Sequence, residues 1–552
     1  MVVPASLPRV RVPITHSMRT RFRPVPAAAG CALAALLAAP AAAQHAPDLR
    51  NEVEVVGSDA ERYLRVLQVA GAAPLYPWSI RGFSPAQVDR LLPDSAAHPW
   101  RARLPPADSA PGLVRLRLVR PQAGVTFNSA FPQGVNDGPL WAGRGLTAAF
   151  SGGVEMRVGS ALSLRIEPMV FWSQNRGFPL LDRADSIRFN DPYYPLNIDL
   201  PQRFGDGSFV RVDPGQSTLR LDAGGFALGA STANQQWGPA IDMPLLLGPN
   251  AAGFPHVFVG TSTPWNIGLG RVHGRIVWGS LNQSKYSPMK GHGSRRFGSG
   301  VVLVFLPARL EGLELGVGRF FHEPWPEGGL EPHDLLQPVG TVFRETIEDA
   351  DQTQNQLITA FFRWTLPRAG FEVYSEFLRD DHNYDLEDLI LEPDRSSGYL
   401  LGGRKVWGRG DRLRTLRMEW GNTTPSHLAQ GSRQALPYRH SFMRQGHTVG
   451  GQLLASPGMA GGGGSVVALE TFTPGGRWSV DWTRMRLASP RILSSKGNTT
   501  GVDVLHSLGA EAVWFRGRVD LVARMRASME LNRYLADDVF NLNAYLGARL
   551  GF

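Results

Sequence analysis

From Phe540 onward the chain keeps a strict two-residue rhythm to its last position. Phe540, Leu542, Ala544, Leu546, Ala548, Leu550 and Phe552 fall on one side, and Asn541, Asn543, Tyr545, Gly547, Arg549 and Gly551 on the other. That period belongs to a β-strand whose two faces meet different surroundings. The same alternation runs through "STLRLDAGGFALG", "RVDLVARMRASM", "GVDVLHSLGAEAVW" and "RWSVDWTRM". In the first of these it sets Leu219, Leu221, Ala223, Gly225 and Ala227 against Arg220 and Asp222. About seventeen candidate strands recur from residue 113 to the end, near 119–128, 143–158, 161–174, 216–232, 267–284, 299–307, 312–322, 355–367, 370–380, 396–408, 411–421, 447–456, 463–474, 476–487, 501–516, 518–528 and 539–552. Many are longer than soluble strands, and their length suits a tilted membrane crossing. Their connections alternate between tight ("LPRAG", "GRGD", "TPGG") and long (175–215, 233–264, 323–354, 422–446). Short turns on one rim and long loops on the other are the pattern of a bacterial membrane barrel, in which closure favours an even number of strands, 16 or 18. A soluble β-sandwich fits so many long, two-faced strands poorly.

Before residue 113 the period is helical. Ser58 with Glu61, and Ser84 with Pro85 and Gln87, are helix starts, and Gly71, Pro74 and Pro93 are stops. Residues 44–111 therefore form a small helical module, 112–552 the barrel, and 1–43 a leader. The leader has a basic start at Arg19, Arg21 and Arg23, an Ala/Leu run, and small residues at Ala41 and Ala43 before a cut at Gln44. Cys31 precedes the apolar run instead of following it, so it makes a poor lipidation site. Its loss with the leader leaves a mature chain without thiols or disulfides.

Composition agrees. Aromatic content of 9% and apolar content of 43% exclude disorder, and 62 glycines with 42 prolines imply many turns. The formal charge of +9 is partly the leader's, because five of the 57 basic residues lie there, leaving 52 against 48 acidic ones. Nucleic acid is not an expected partner. No run of 18 apolar residues follows the leader, so any membrane crossing is by strands.

The segment "NQQWGPAIDMPLLLGPNAAGFPHVFVGTSTPW" at 234–265, "RYLRVLQVAGAAPLYPWSI" with "SPAQVDRLL", and the terminal strand occur in an order that resembles the capsule-assembly Wzi family. The resemblance implies an all-β transmembrane barrel of about 18 antiparallel strands in the outer membrane, with a small N-terminal α-helical plug. It also implies a lectin role, the attachment of capsular or related polysaccharide at the cell surface. The C-terminal Phe552 matches the signal by which the barrel assembly machinery recognises its clients. Besides that machinery, the expected partners are surface polysaccharide and outer-membrane lipid. A channel for sugars or small solutes is the alternative.

Aromatic rings stack on the apolar faces of pyranoses, while amides and charged groups bind hydroxyls and acidic sugars. The polysaccharide-binding candidates on that basis are Trp237, Asn234, Gln235, Gln236, Tyr193, Tyr194 and Trp265. Trp237, flanked by three amides and a rigid Gly-Pro, is equally readable as a structural loop lock. Arg220, Arg518, Arg524, Arg526 and Arg549, with Asp222, Asp503, Glu511 and Asp520, fall on predicted inner faces. Neutralising ladders across neighbouring strands explain them better than a basic track does. His333–Asp334 and Asp380–His382 have no nucleophile motif beside them. No catalytic residues, metal ligands or cofactors are expected, and the protein reads as a binder, not an enzyme.

Overall fold

The computed structural model describes residues 47–93, 97–105, 113–134, 136–340, 354–380, 396–424, 436–487 and 502–551. The leader, Cys31, His382 and Phe552 lie outside the described residues. Among those described, eighteen antiparallel strands close into one barrel. They are β1 (Val114–Asn128), β2 (Gly145–Val158), β3 (Leu162–Ile166 and Met169–Ser173), β4 (Phe209–Asp213 and Thr218–Ala223), β5 (Phe226–Ser231) and β6 (His256–Thr261). Next come β7 (Gly270–Leu281), β8 (Arg296–Pro307), β9 (Leu313–Pro324), β10 (Asn355–Leu366), β11 (Phe371–Asp380) and β12 (Ser397–Arg409). The ring ends with β13 (Arg412–Asn422), β14 (Gly463–Thr473), β15 (Gly476–Arg486), β16 (Val504–Arg516), β17 (Val519–Arg533) and β18 (Asp537–Leu550). β18 closes on β1 from Gln122 opposite Arg549 to Asn128 opposite Asn543, which accounts for the strict terminal alternation.

Two candidate strands need correction. The stretch 216–232 is a hairpin, not one strand. Gly224 and Gly225, at φ +57° and +85°, form a two-residue turn that only residues tolerant of positive φ can make. The turn resets the phase, so Phe226 and Leu228 point outward while Ala227 is buried. The stretch 447–456 is a small hairpin inside the lumen, and β6 hides in what alternation alone leaves as a loop.

The outer face is an apolar belt, with Leu116, Val317 and Leu546 each more than half exposed. Trp265, Trp364, Trp407, Trp478 and Trp514 ring the short-turn rim, as interfacial tryptophans do in membrane barrels. One sector departs from this rule. At the long-loop end of β8 to β10 the outward positions Phe297, Ser299, Arg319, Phe321 and Gln356 are buried. They are covered by residues 325–340, which fold down the outside wall: Trp325 meets Phe297 edge-on at 5.8 Å, and Arg319 donates to the Gly340 carbonyl at 2.9 Å.

The short-turn end of the lumen is filled by the N-terminal module. α1 (Asp59–Val69) starts at Ser58, whose hydroxyl accepts the Glu61 N–H, and α2 (Pro85–Leu91) starts with a Ser84–Gln87 capping box. Its packing core is Tyr63, Leu67, Trp78 and Trp100, which meets wall residues Val406, Leu413 and Phe472. The wall's inward charges answer the module's. Asp59 sits 2.6 Å from both Arg477 and Arg549, Arg65 is 3.1 Å from Glu372, and Arg103 is 2.8 Å from Asp520. Glu52 pairs with Arg120 and Glu54 with Arg157. The inward charges are therefore neutralised partly along the wall, as in Arg526–Asp481, and partly by the module. Removing one member of such a buried pair typically costs about 3–5 kcal/mol, because the other is left charged and dry.

Candidate functional site

Two long loops, 232–255 and 436–462, do not spread over the surface but turn into the lumen. Met243, Leu245, Leu246, Leu247 and Phe254 of the first pack against Tyr438, Leu453, Leu454 and Met459 of the second. Inward apolar wall residues Phe320, Leu357, Leu378 and Leu400 complete that core. Carboxylates of the wall hold the first loop by its backbone. Glu419 accepts the N–H groups of Ile241, Asp242 and Met243, and Glu376 those of Ala240 and Leu245. The second loop is tied to the first. The Tyr438 hydroxyl donates to the Leu245 carbonyl at 2.7 Å, and the Gly248 N–H donates to the Leu454 carbonyl at 2.8 Å.

Four of the candidate binding residues lie in this core. Trp237 is fully buried against Phe320, with its indole N–H donating to Gln235 Oε1 at 3.1 Å. Gln236 and Trp237 pair with Arg81 and Ile80 of the module as a two-stranded sheet. The Gln235 amide also lies 2.6 Å from the His256 ring and accepts from Arg275, while Asn234 donates to the Ala251 carbonyl at 2.9 Å. These contacts hold the loop in place around the fully buried Trp237 and Gln236, while Asn234 and Gln235 also line a small cavity of ≈ 50 Å³. Trp265 is exposed, but it belongs to the short-turn rim, where its indole donates to the Gly225 carbonyl. Of the residues considered for catalysis, Asp380 is buried and accepts the Tyr438 N–H, and His333 is exposed beside Asp334.

Among the described residues, a pocket of ≈ 320 Å³ lies at the barrel mouth on the long-loop side. Tyr193 is one of its walls. Asp191, in the loop between β3 and β4, accepts the N–H groups of both Tyr193 and Tyr194 in an Asx-type turn that fixes the two rings. The Tyr193 hydroxyl donates to the Asp503 carboxylate, which also accepts the Tyr534 N–H at 3.2 Å. Tyr534 approaches Tyr193 edge-on, with centroids 6.4 Å apart. The Arg439 guanidinium sits over Tyr194, 3.3 Å from the ring centroid. Arg533 stacks near Phe131 and Tyr534 and is ion-paired to Glu530. Gln133, Trp141 and Arg526 also line it.

Burial pushes the Asp191 and Asp503 carboxyls up and the Arg439 guanidinium down, and it raises the Tyr534 hydroxyl to about 12. Arg439 Nε and Nη1 and Asp503 Oδ1 are buried without a protein hydrogen-bond partner. The pocket thus gathers aromatic faces, guanidinium groups and carboxylates around one concavity. That set suits a polyhydroxylated ring. "DPYY", Asp191 to Tyr194, was legible as turn plus aromatics. Arg439, Asp503, Arg533 and Tyr534 come from distant connections and carry no local motif.

Residues 133–507 match the protein family described as capsule assembly protein Wzi. No curated protein matches the chain by sequence. Among solved structures the chain is similar to Wzi of Escherichia coli, described as an outer-membrane, carbohydrate-binding β-barrel involved in group 1 capsule assembly. Identity is 14%, coverage is 90% of this chain and 99% of that one, and the TM-score is 0.59. Similarity to the Pseudomonas aeruginosa outer-membrane protein OprD is lower, at 10% identity, 80% and 94% coverage and a TM-score of 0.37.

Proposed function

The chain belongs to the capsule assembly Wzi family, and from that premise we propose that it is an outer-membrane barrel that holds surface polysaccharide at the cell exterior without covalent chemistry. Residues 1–43 are its leader, 44–111 its periplasmic plug and 112–552 the barrel, inserted into lipid by the barrel assembly machinery. The observation that carries the binding role is the mouth pocket. Tyr193 and Tyr534 supply ring faces, and the Asp503 carboxylate and Arg439 guanidinium line the wall beside them as hydrogen-bonding groups. A single such site is weak. A repeating polymer engaged by many barrels gains its retention from avidity.

The carboxylates at this site support binding over hydrolysis. Asp191 is committed to two backbone N–H groups, Asp503 Oδ2 to Tyr193 and Tyr534, and Glu530 to Arg533. The channel alternative is opposed by the lumen, which the module fills from one end and two loops fill from the other.

The test is a glycan-binding screen on purified, refolded full-length protein in detergent, repeated with Tyr193→Ala and Arg439→Gln. Saturable binding of an extracellular polysaccharide that both substitutions weaken supports the reading. Binding that neither substitution changes would remove the pocket from it, and steady large currents from the intact protein in planar bilayers would replace it with a channel.

A further inference from the structure

The barrel wall has a dent at the long-loop end of β3 to β7. β5 and β6 are six residues each, while their neighbour β7 has twelve. β3 and β4 are both interrupted, at 167–168 and 214–217. The strand ladder is therefore short and broken in this sector. Residues 325–340, strapped over β8 and β9, form the opposite bank. Between them runs an outward-facing groove of ≈ 580 Å³, lined by Leu219, Val257 and Trp278 on the wall and by Trp325, Leu330 and Leu335 on the strap. The strap is pinned in place, since the Trp278 indole donates to the Leu335 carbonyl at 2.9 Å. Leu335 and Leu336 remain exposed on its outer side, continuing the apolar belt. At the groove's rim Arg295 donates to the Ser280 hydroxyl at 3.2 Å and stacks on Trp325 at 3.8 Å. No carboxylate lies within ion-pair distance of Arg295 among the described residues.

We propose that this groove seats one acyl chain of an outer-leaflet lipid whose phosphorylated headgroup is held by Arg295. Two observations select a lipid over a protein partner. The groove is continuous with the apolar belt, so hydrocarbon is its ordinary neighbour. An unpaired guanidinium, fixed on an aromatic face at the polar rim, is placed where the phosphates of such a lipid lie. A helix from a partner would need an extended apolar face, and the strap walls off that approach. The strap itself is explained as well. It covers the outward polar residues Ser299, Arg319 and Gln356 and forms one bank of the groove.

The test uses full-length protein in nanodiscs of phosphatidylcholine doped with lipid A, followed by release into the gas phase and native mass spectrometry. The expected result is one lipid A retained in saturable fashion. Arg295→Gln lowers its retention about fivefold, the scale of one surface arginine facing an anionic lipid. Trp325→Ala should lower retention too, with heat-modifiable gel mobility confirming that both variants are folded. Retention that rises without saturation, or that is unchanged in folded Arg295→Gln, overturns the proposal. So does equal retention of phosphatidylcholine, which marks ordinary annular lipid. Polysaccharide binding at the mouth is unaffected by these substitutions, so the two readings stand or fall separately.

Discussion

The carboxylate of Glu419, on β13, lies 2.9 Å from the backbone nitrogen of Met243, in the loop that fills the lumen. It also accepts from Ile241, Asp242 and the Tyr374 hydroxyl, so one wall side chain holds a turn of the loop. Glu419→Ala leaves three buried N–H groups without an acceptor and is expected to cost about 3 kcal/mol or more. Thermal unfolding in detergent should show the loss, and planar-bilayer recordings should show flickering currents absent from the parent protein.

Acidification should loosen the plug through two histidines. Burial lowers His98, in the module beside Tyr63, and His447, in the second lumenal loop, from 6.5 to about 4. Each is neutral when folded, so between pH 6.5 and 4 the unfolded chain binds more protons and stability falls as pH drops, by up to about 3 kcal/mol per histidine. Asp59, held low by Arg477 and Arg549 against the opposing effect of its burial, keeps its contribution until pH falls below the ordinary carboxylate range. A melting temperature that declines from pH 7 to 4.5, and declines less in His98→Gln/His447→Gln, is the expected outcome. A flat profile refutes it.

Trp237→Ala should act on stability. The side chain is fully enclosed, and its removal opens a cavity costing about 3–5 kcal/mol. Unfolding should shift accordingly, with polysaccharide affinity of the remaining folded fraction close to that of the parent.

Tyr193→Ala should show the reverse balance. The ring lines the mouth pocket, and losing one stacking face weakens binding about tenfold, or ~1.4 kcal/mol. Tyr193→Phe keeps the face and loses the bond to Asp503, so its affinity should fall between the two. Affinity electrophoresis ranks the three proteins.

Residues 45–111 are only one of two obstructions. A protein lacking them should still pass little current, because 232–255 and 436–462 occupy the rest of the lumen. Large conductance is expected only when the first of these loops is also replaced by a short Gly-Ser link.

The barrel was legible because lipid imposes one period on the outward face of nearly every strand. Legibility failed where that constraint lapses. At β4 and β5 a two-glycine turn resets the phase within an unbroken alternating text. β6 is too short to establish a period. At the long-loop end of β9, Phe320 and Phe321 are both buried, one by the lumenal loops and one by the strap; the strand itself was legible at 312–322, but its alternation does not extend to that end. The loop carrying Leu245–Leu247 was legible only as a long connection, because nothing local says that a loop will fold inward. The mouth pocket was half visible, since "DPYY" carries its own turn while Arg439 and Asp503 reach it only through the closed ring.

Ile80 and Arg81 enter the lumen from the short-turn rim, Gln236 and Trp237 from the opposite one, and the four residues form a shared ribbon. Tyr438 joins that ribbon's loop to the segment carrying Arg439. A pull on the segment carrying Arg439 is therefore passed through Leu245 and Trp237 to Ile80 and Arg81, from Arg81 through Glu61 to α1, and from there through Asp59 and Arg65 into the staves of the barrel. The molecule resists drag as a riveted unit, and no mouth loop takes the load alone.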